Sequence, residues 1–197
     1  MKHALSMLAV ALLTGAASAQ VTGEGTERCG DYGAPHPDAP PEFAQFAFII
    51  GDFDVGYRTW DAEAGGWLEP QFQARWNGYY GLNGRAVIDE WFDPGYGYRA
   101  ESGTGINIRL YDEGEGRWET AWHYTANYEV RELHQELRED GRLWLWQVYP
   151  EAPQRRVWFE TFDDGEWARF EQRRNDAGEW ANAVMLHAIP ADCGEGG

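Results

Sequence analysis

The chain has 197 residues, with 33 acidic against 16 basic side chains, a formal net charge of −17 and 43% hydrophobic content. That length suits one main domain of about 100–200 residues. The acidic balance argues against a nucleic acid partner, because like charge repels phosphate backbones, and equally against docking on anionic lipid.

The chain opens "MKHALSMLAVALLTGAASAQ": one lysine, an apolar stretch from Ala4 to Leu13, then small residues before Gln20. This pattern predicts a secretory signal peptide over 1–19, cut after Ala19. Its apolar stretch falls short of the roughly 20 residues that cross a bilayer as a helix. The reading places the mature protein in the periplasm or outside the cell, with no membrane span. Residues 20–40 are rich in Gly, Pro and acids and read as an irregular lead-in. Cys29 and Cys193 flank the periodic region. In an oxidising compartment an even pair reads as a disulfide, and closing so long a loop suggests a stabilisation of up to about 5 kcal/mol.

In "PPEFAQFAFII", Phe43, Phe46 and Ile50 recur at three- and four-residue spacing after Pro41. This predicts a short amphipathic helix with proline at its first turn. From "GDFDVGYRTW" onward the period becomes two. In "TGINIRLYD" the residues Ile106, Ile108 and Leu110 alternate with Asn107, Arg109 and Tyr111, and in "RWETAWHYT" Trp118, Trp122 and Tyr124 share one face. Similar runs span 68–80, 85–92, 132–138, 142–149, 155–162, 166–173 and 179–189, each bounded by turn residues. The segment "NYEVRELHQELRED" has helix-forming composition but no long helical face, and is read as a strand. The result is an all-β domain over 41–190, an up-and-down antiparallel barrel of about nine or ten strands, followed by a tail over 191–197. No connection is long enough for the crossovers that parallel strands need, and a two-sheet sandwich is the alternative.

Five stretches pair acids with glycine and tryptophan: "DAEAGGW", "DEGEGRW", "EDGRLW", "DDGEW" and "DAGEW". A calcium loop needs alternating ligands over a longer span, ending in a bidentate glutamate. Hairpin turns, with tryptophan opening the return strand, are the better reading.

Eleven tryptophans, ten tyrosines and nine phenylalanines form a large aromatic load. Such rings fill a barrel and leave crevices between them, so Trp76, Trp118, Trp122 and Tyr124 are the expected walls of a ligand site. In "AVIDEWF", Glu90 shares a face with Ala86, Ile88 and Phe92 and is expected to point inward, away from Asp89. Glu90 and Arg109 are therefore candidate polar anchors, although Arg109 lies on the face opposite its strand's apolar side. An enzyme reading, as isomerase, hydratase or glycoside-cleaving protein, would need Glu90 and a second acid from another strand. No metal is expected, because neither H-x-H nor HExxH spacing occurs, and no cofactor is expected either. His187, near Met185, is the one residue with a haem-ligating option. Ser102 is the only serine after residue 19, and no G-x-S-x-G, P-loop or G-x-G-x-x-G occurs.

The stretches "FAFIIGDFDV", "GLNGRAVIDEWF", "INIRLYD" and "GRWETAWHY", in this order, resemble an uncharacterised bacterial family of exported proteins with a lipocalin-like (calycin-type) β-barrel. The resemblance implies a first strand opening with Gly-x-aromatic and a central lumen. It implies no particular activity. Calycin first strands usually read Gly-x-Trp, where this chain has Phe53, and the longer Gly-x-Trp-x-Gly-x-Gly opening of haem-binding barrels is missing. The leading expectation is an exported barrel that binds a small apolar or amphipathic molecule. The alternatives are an enzyme using Glu90 and a cell-envelope interaction module with a packed barrel.

Overall fold

The computed structural model describes residues 30–93, 103–152 and 154–192. The expected signal peptide, Cys29, Cys193 and the end of the tail lie outside these residues. Among them are eleven strands: β1 (Gly51–Asp61), β2 (Gly66–Trp67), β3 (Phe72–Gly81), β4 (Ala86–Asp93), β5 (Gly103–Asp112), β6 (Arg117–Tyr124), β7 (Glu129–Leu137), β8 (Leu143–Tyr149), β9 (Arg155–Thr161), β10 (Trp167–Arg174) and β11 (Trp180–Pro190). Neighbours in sequence pair antiparallel from β3 to β11, and β1 pairs with both β3 and β11. Ten strands thus close into an antiparallel barrel consistent with a lipocalin-like one, and no sandwich forms. β2 is a two-residue addition to the end of β1, pairing Trp67 with Trp60. Among the described residues, closure gives each of the ten barrel strands a neighbour on both sides, where an open sheet would have exposed two edges.

The acid-glycine stretches are turns. Asp61 Oδ1 accepts from the backbone N–H of Glu63 at 2.9 Å and of Ala64 at 3.0 Å. Asp112 repeats this on Gly114 at 2.8 Å and Glu115 at 3.0 Å. Gly65 and Gly116 then take the left-handed conformation, at φ of 66° and 67°, that reverses the chain. The tryptophans that follow diverge. Trp118 and Trp167 are fully buried inside the barrel, whereas Trp180 lies outside with the Arg156 and Arg174 guanidinium groups each 4.6 Å from its ring centre.

One end of the barrel is plugged. Pro41–Ile49 forms a 3-10 segment that buries Phe43, Phe46 and Ile49. The 3-10 helix has three residues per turn, so the buried set is spaced by three, and Ile49 replaces the Ile50 expected from α-helical spacing. Phe46 meets Trp118 edge-on at 4.9 Å and Phe43 packs 5.0 Å from the same ring. Trp118 Nε1 donates to Gln45 Oε1 at 3.1 Å, fastening the plug. Each large apolar side chain buried here contributes roughly 1.5–3 kcal/mol. The close approach depends on Gly78: a Cβ there would sit 1.8 Å from the Ile49 carbonyl oxygen. Phe53 retains the ring expected of a calycin first strand and packs 5.6 Å from Trp167.

Candidate functional site

The strand registers decide which residues enter the lumen, and β4 and β5 invert the expectation. Asp89 pairs with Asn107 and Val87 with Arg109, and all four are buried on the inner face. Ile106 and Ile108 therefore face outward, and Leu110 is largely exposed. Glu90 is on the outer wall, where it accepts from Tyr79 Oη at 3.2 Å. It does not reach the cavity, so acid–base chemistry in the lumen cannot use it. The physical reason is mutual satisfaction: Arg109 finds Asp89 on the adjacent strand, and Asn107 Nδ2 donates to Asp89 Oδ2 at 2.7 Å. The Arg109 guanidinium also lies 4.9 Å from the Phe46 ring centre. Burial pushes the Asp89 carboxyl above its ordinary range, against the pull of Arg109 and Asn107.

Toward the end opposite the plug the lumen opens into a cavity of about 310 Å³. One wall is aromatic. Trp76, Trp91, Trp122 and Tyr124 line it, with the Trp122 and Tyr124 rings stacked at 5.8 Å and inclined by 17°. Inward-facing glycines of β5 make room for them. A Cβ on Gly105 would lie 2.1 Å from Trp122 Cη2, and one on Gly103 would lie 2.1 Å from Tyr124 Oη. Trp91 Nε1 donates to Asp93 Oδ2 at 3.3 Å, and Tyr124 Oη donates to the same oxygen.

The facing wall is charged. Along "WARFEQRR" of β10, Trp167, Arg169, Glu171 and Arg173 take the inner positions, and β9 adds Arg155 beside Val157 and Phe159. Glu171, almost fully buried, is shared: Arg155 Nη2 lies 2.6 Å from Oε2, Arg173 Nε 2.7 Å from Oε1, and Arg169 Nη2 3.7 Å from Oε2. Burial alone would raise the Glu171 carboxyl, but Arg155, Arg169 and Arg173 together hold it below the ordinary range. Burial and then the neighbouring Arg155 push the Arg169 guanidinium down to about 9. Glu129 and Arg131 pair beside them on β7. A register break in β11, opposite Glu171 and Gln172, bends the sheet at this height.

Of the residues expected from sequence, Trp76, Arg109, Trp122 and Tyr124 line the cavity. Trp118 belongs instead to the packed, plugged end, and Glu90 is outside. His187 is also on the outer wall, 2.8 Å from Glu166 Oε2, so it presents no axial ligand to the lumen. Arg155, Arg169 and Arg173 are not among the residues expected from sequence, because alternation marks 155–162 and 166–173 as strands without telling which face of each turns inward on barrel closure. Among the described residues no group of three or more His, Cys, Asp or Glu could hold a metal ion. Nor is any helix among them long and apolar enough to cross a membrane. The chain matches no protein-family model and no curated protein sequence.

Proposed function

We propose that the protein is an exported barrel of the lipocalin-like kind that binds a small amphipathic molecule in its lumen. The observation that carries this reading is the cavity of about 310 Å³ at the open end, walled by Trp91, Trp122 and Tyr124. Its size falls at the lower end of ordinary ligand pockets, about 300–1,000 Å³, and its combination of rings with a few convergent polar groups is what such pockets have. The signal-peptide pattern of residues 1–19 supports residence in the periplasm or outside the cell. The resemblance of the four stretches, in their order, is the ground for proposing kinship with the uncharacterised exported family.

The test is titration with retinoids, terpenoids, amphipathic aromatic acids and their neutral analogues, followed by tryptophan fluorescence. Native mass spectrometry of freshly purified protein would identify any molecule carried along. Binding that shifts the emission and weakens on Trp122→Ala is expected. If no compound in the panel binds and nothing co-purifies, the ligand reading fails and a packed interaction module takes its place.

A further inference from the structure

The cavity's two walls are chemically unlike, and their opposition follows from topology. In the closed order β1-β3-β4-β5-β6-β7-β8-β9-β10-β11, the strand β4 carrying Trp91 is five strands from β9 in either direction, and β5 is five from β10. The aromatic wall therefore looks across the lumen at Arg155 and Arg169.

Charge does not balance on that far wall. Three guanidinium groups converge on one carboxylate, Glu171, while the Arg131–Glu129 pair beside them is neutral as a unit. This leaves a positive excess on that wall, which the single carboxylate of Asp93 on the ring wall offsets only in part, inside a chain whose net charge is −17. Desolvated charge of one sign is costly unless an opposite charge joins it. The hydrogen-bonding ledger points the same way. Among the described residues, the buried polar side-chain atoms on the cavity lining that lack a protein partner are Arg109 Nε, Arg155 Nε and Trp76 Nε1, and all three are donors. A site with spare donors and spare positive charge is complementary to an acceptor that is itself negative.

We infer that the lumen takes an organic anion whose carboxylate, sulfonate or phosphate head sits against Arg155 and Arg169 and whose flat apolar body lies along Trp91, Trp122 and Tyr124. This rests on the ligand-binding reading and adds the class of ligand. Glu171 then has a second role. It holds the arginines in place in the empty lumen and competes with the ligand head for them. Arg173, more exposed and hydrogen-bonded to Glu171, completes the positive rim of the site.

Two dyes that differ in one group test the inference: anilinonaphthalene sulfonate and its neutral analogue phenylnaphthylamine, titrated against the folded full chain. The sulfonate is expected to bind at least about tenfold more tightly, the worth of one charge-assisted contact in a desolvated site. Arg155→Gln and Arg169→Gln should each weaken the sulfonate by about tenfold and leave the neutral dye within about twofold. Glu171→Gln removes the competitor and should tighten the sulfonate, whereas a merely structural carboxylate would weaken both dyes on removal. Circular dichroism confirms that each variant is folded, and Glu171→Gln decides the matter if an arginine variant is not. Equal affinity of the two dyes, or equal losses in every variant, overturns the anion site while leaving the ligand-binding reading standing. Failure of both dyes to bind overturns the anion site, and the ligand-binding reading falls with it only when the wider panel also fails and nothing co-purifies. Displacement of the sulfonate by inorganic phosphate as readily as by aromatic carboxylates overturns the role given to the ring wall.

Discussion

Replacing Arg109 by methionine keeps most of the side-chain volume but leaves Asp89 buried without its counterion. The pair is almost wholly out of water, with Asp89 at 0% and Arg109 at 1% exposure. At an effective dielectric of about 20, opposite unit charges about 4 Å apart attract by about 4 kcal/mol, and losing one partner of a buried pair costs about 3–5 kcal/mol. The stacking of the guanidinium on Phe46 is lost too, but methionine restores apolar contact there, and Asn107 continues to donate to Asp89. The expected destabilisation is therefore about 3–5 kcal/mol, or roughly 6–20 °C in Tm for a domain of this size. Urea unfolding monitored by tryptophan emission, with calorimetry, measures it.

The pH dependence supplies a second reading of the same variant. Burial already raises the Asp89 carboxyl in the native protein, and removing Arg109 raises it further. The folded variant then binds a proton that the unfolded chain has released. Its stability is lost as pH rises from the ordinary carboxylate value through the folded one, so the deficit should be smaller at about pH 5 than at about pH 8. Asp89→Asn combined with Arg109→Met should recover much of the loss. A deficit below about 1 kcal/mol, or one that is identical at both pH values, would refute the assignment of Asp89 and Arg109 as a charged buried pair.

Three further substitutions separate the plugged end from the open one. Gly78→Ala places a methyl group 1.8 Å from the Ile49 carbonyl, so it should displace the 3-10 plug and cost about 1–3 kcal/mol, visible in near-ultraviolet circular dichroism. Trp118→Phe removes the indole donor from Gln45 and should cost about 2 kcal/mol while leaving dye affinity within about twofold. Gly105→Val drives into the Trp122 ring, and is expected to reduce dye binding more than it reduces Tm, as measured by titration and melting in parallel.

The alternation of "TGINIRLYD" and "RWETAWHYT" was enough to identify strands β5 and β6, and the acid-glycine stretches located their hairpin. These are local matters. A period of two needs only the chain's own pleat, and the Asp112 turn is built from atoms a few residues apart. The aromatic content likewise pointed to a ring-lined interior, and Trp76, Trp122 and Tyr124 do line the cavity. What alternation cannot tell is which of a strand's two faces becomes the inside. The apolar face of β5 was expected inward, but Arg109 and Asn107 went in because Asp89, distant in sequence, arrives beside them on β4. The same shift of one residue exchanged Glu90 for Asp89 as the buried acid. Closure, with β1 bridging β3 and β11, brought Arg155 of β9 together with Arg169 and Arg173 of β10 as a convergent arginine wall facing the rings of β4 to β6. The strands and turns were thus written locally in the chain, whereas the polarity of the lumen belongs to pairs of residues that only the closed barrel brings together.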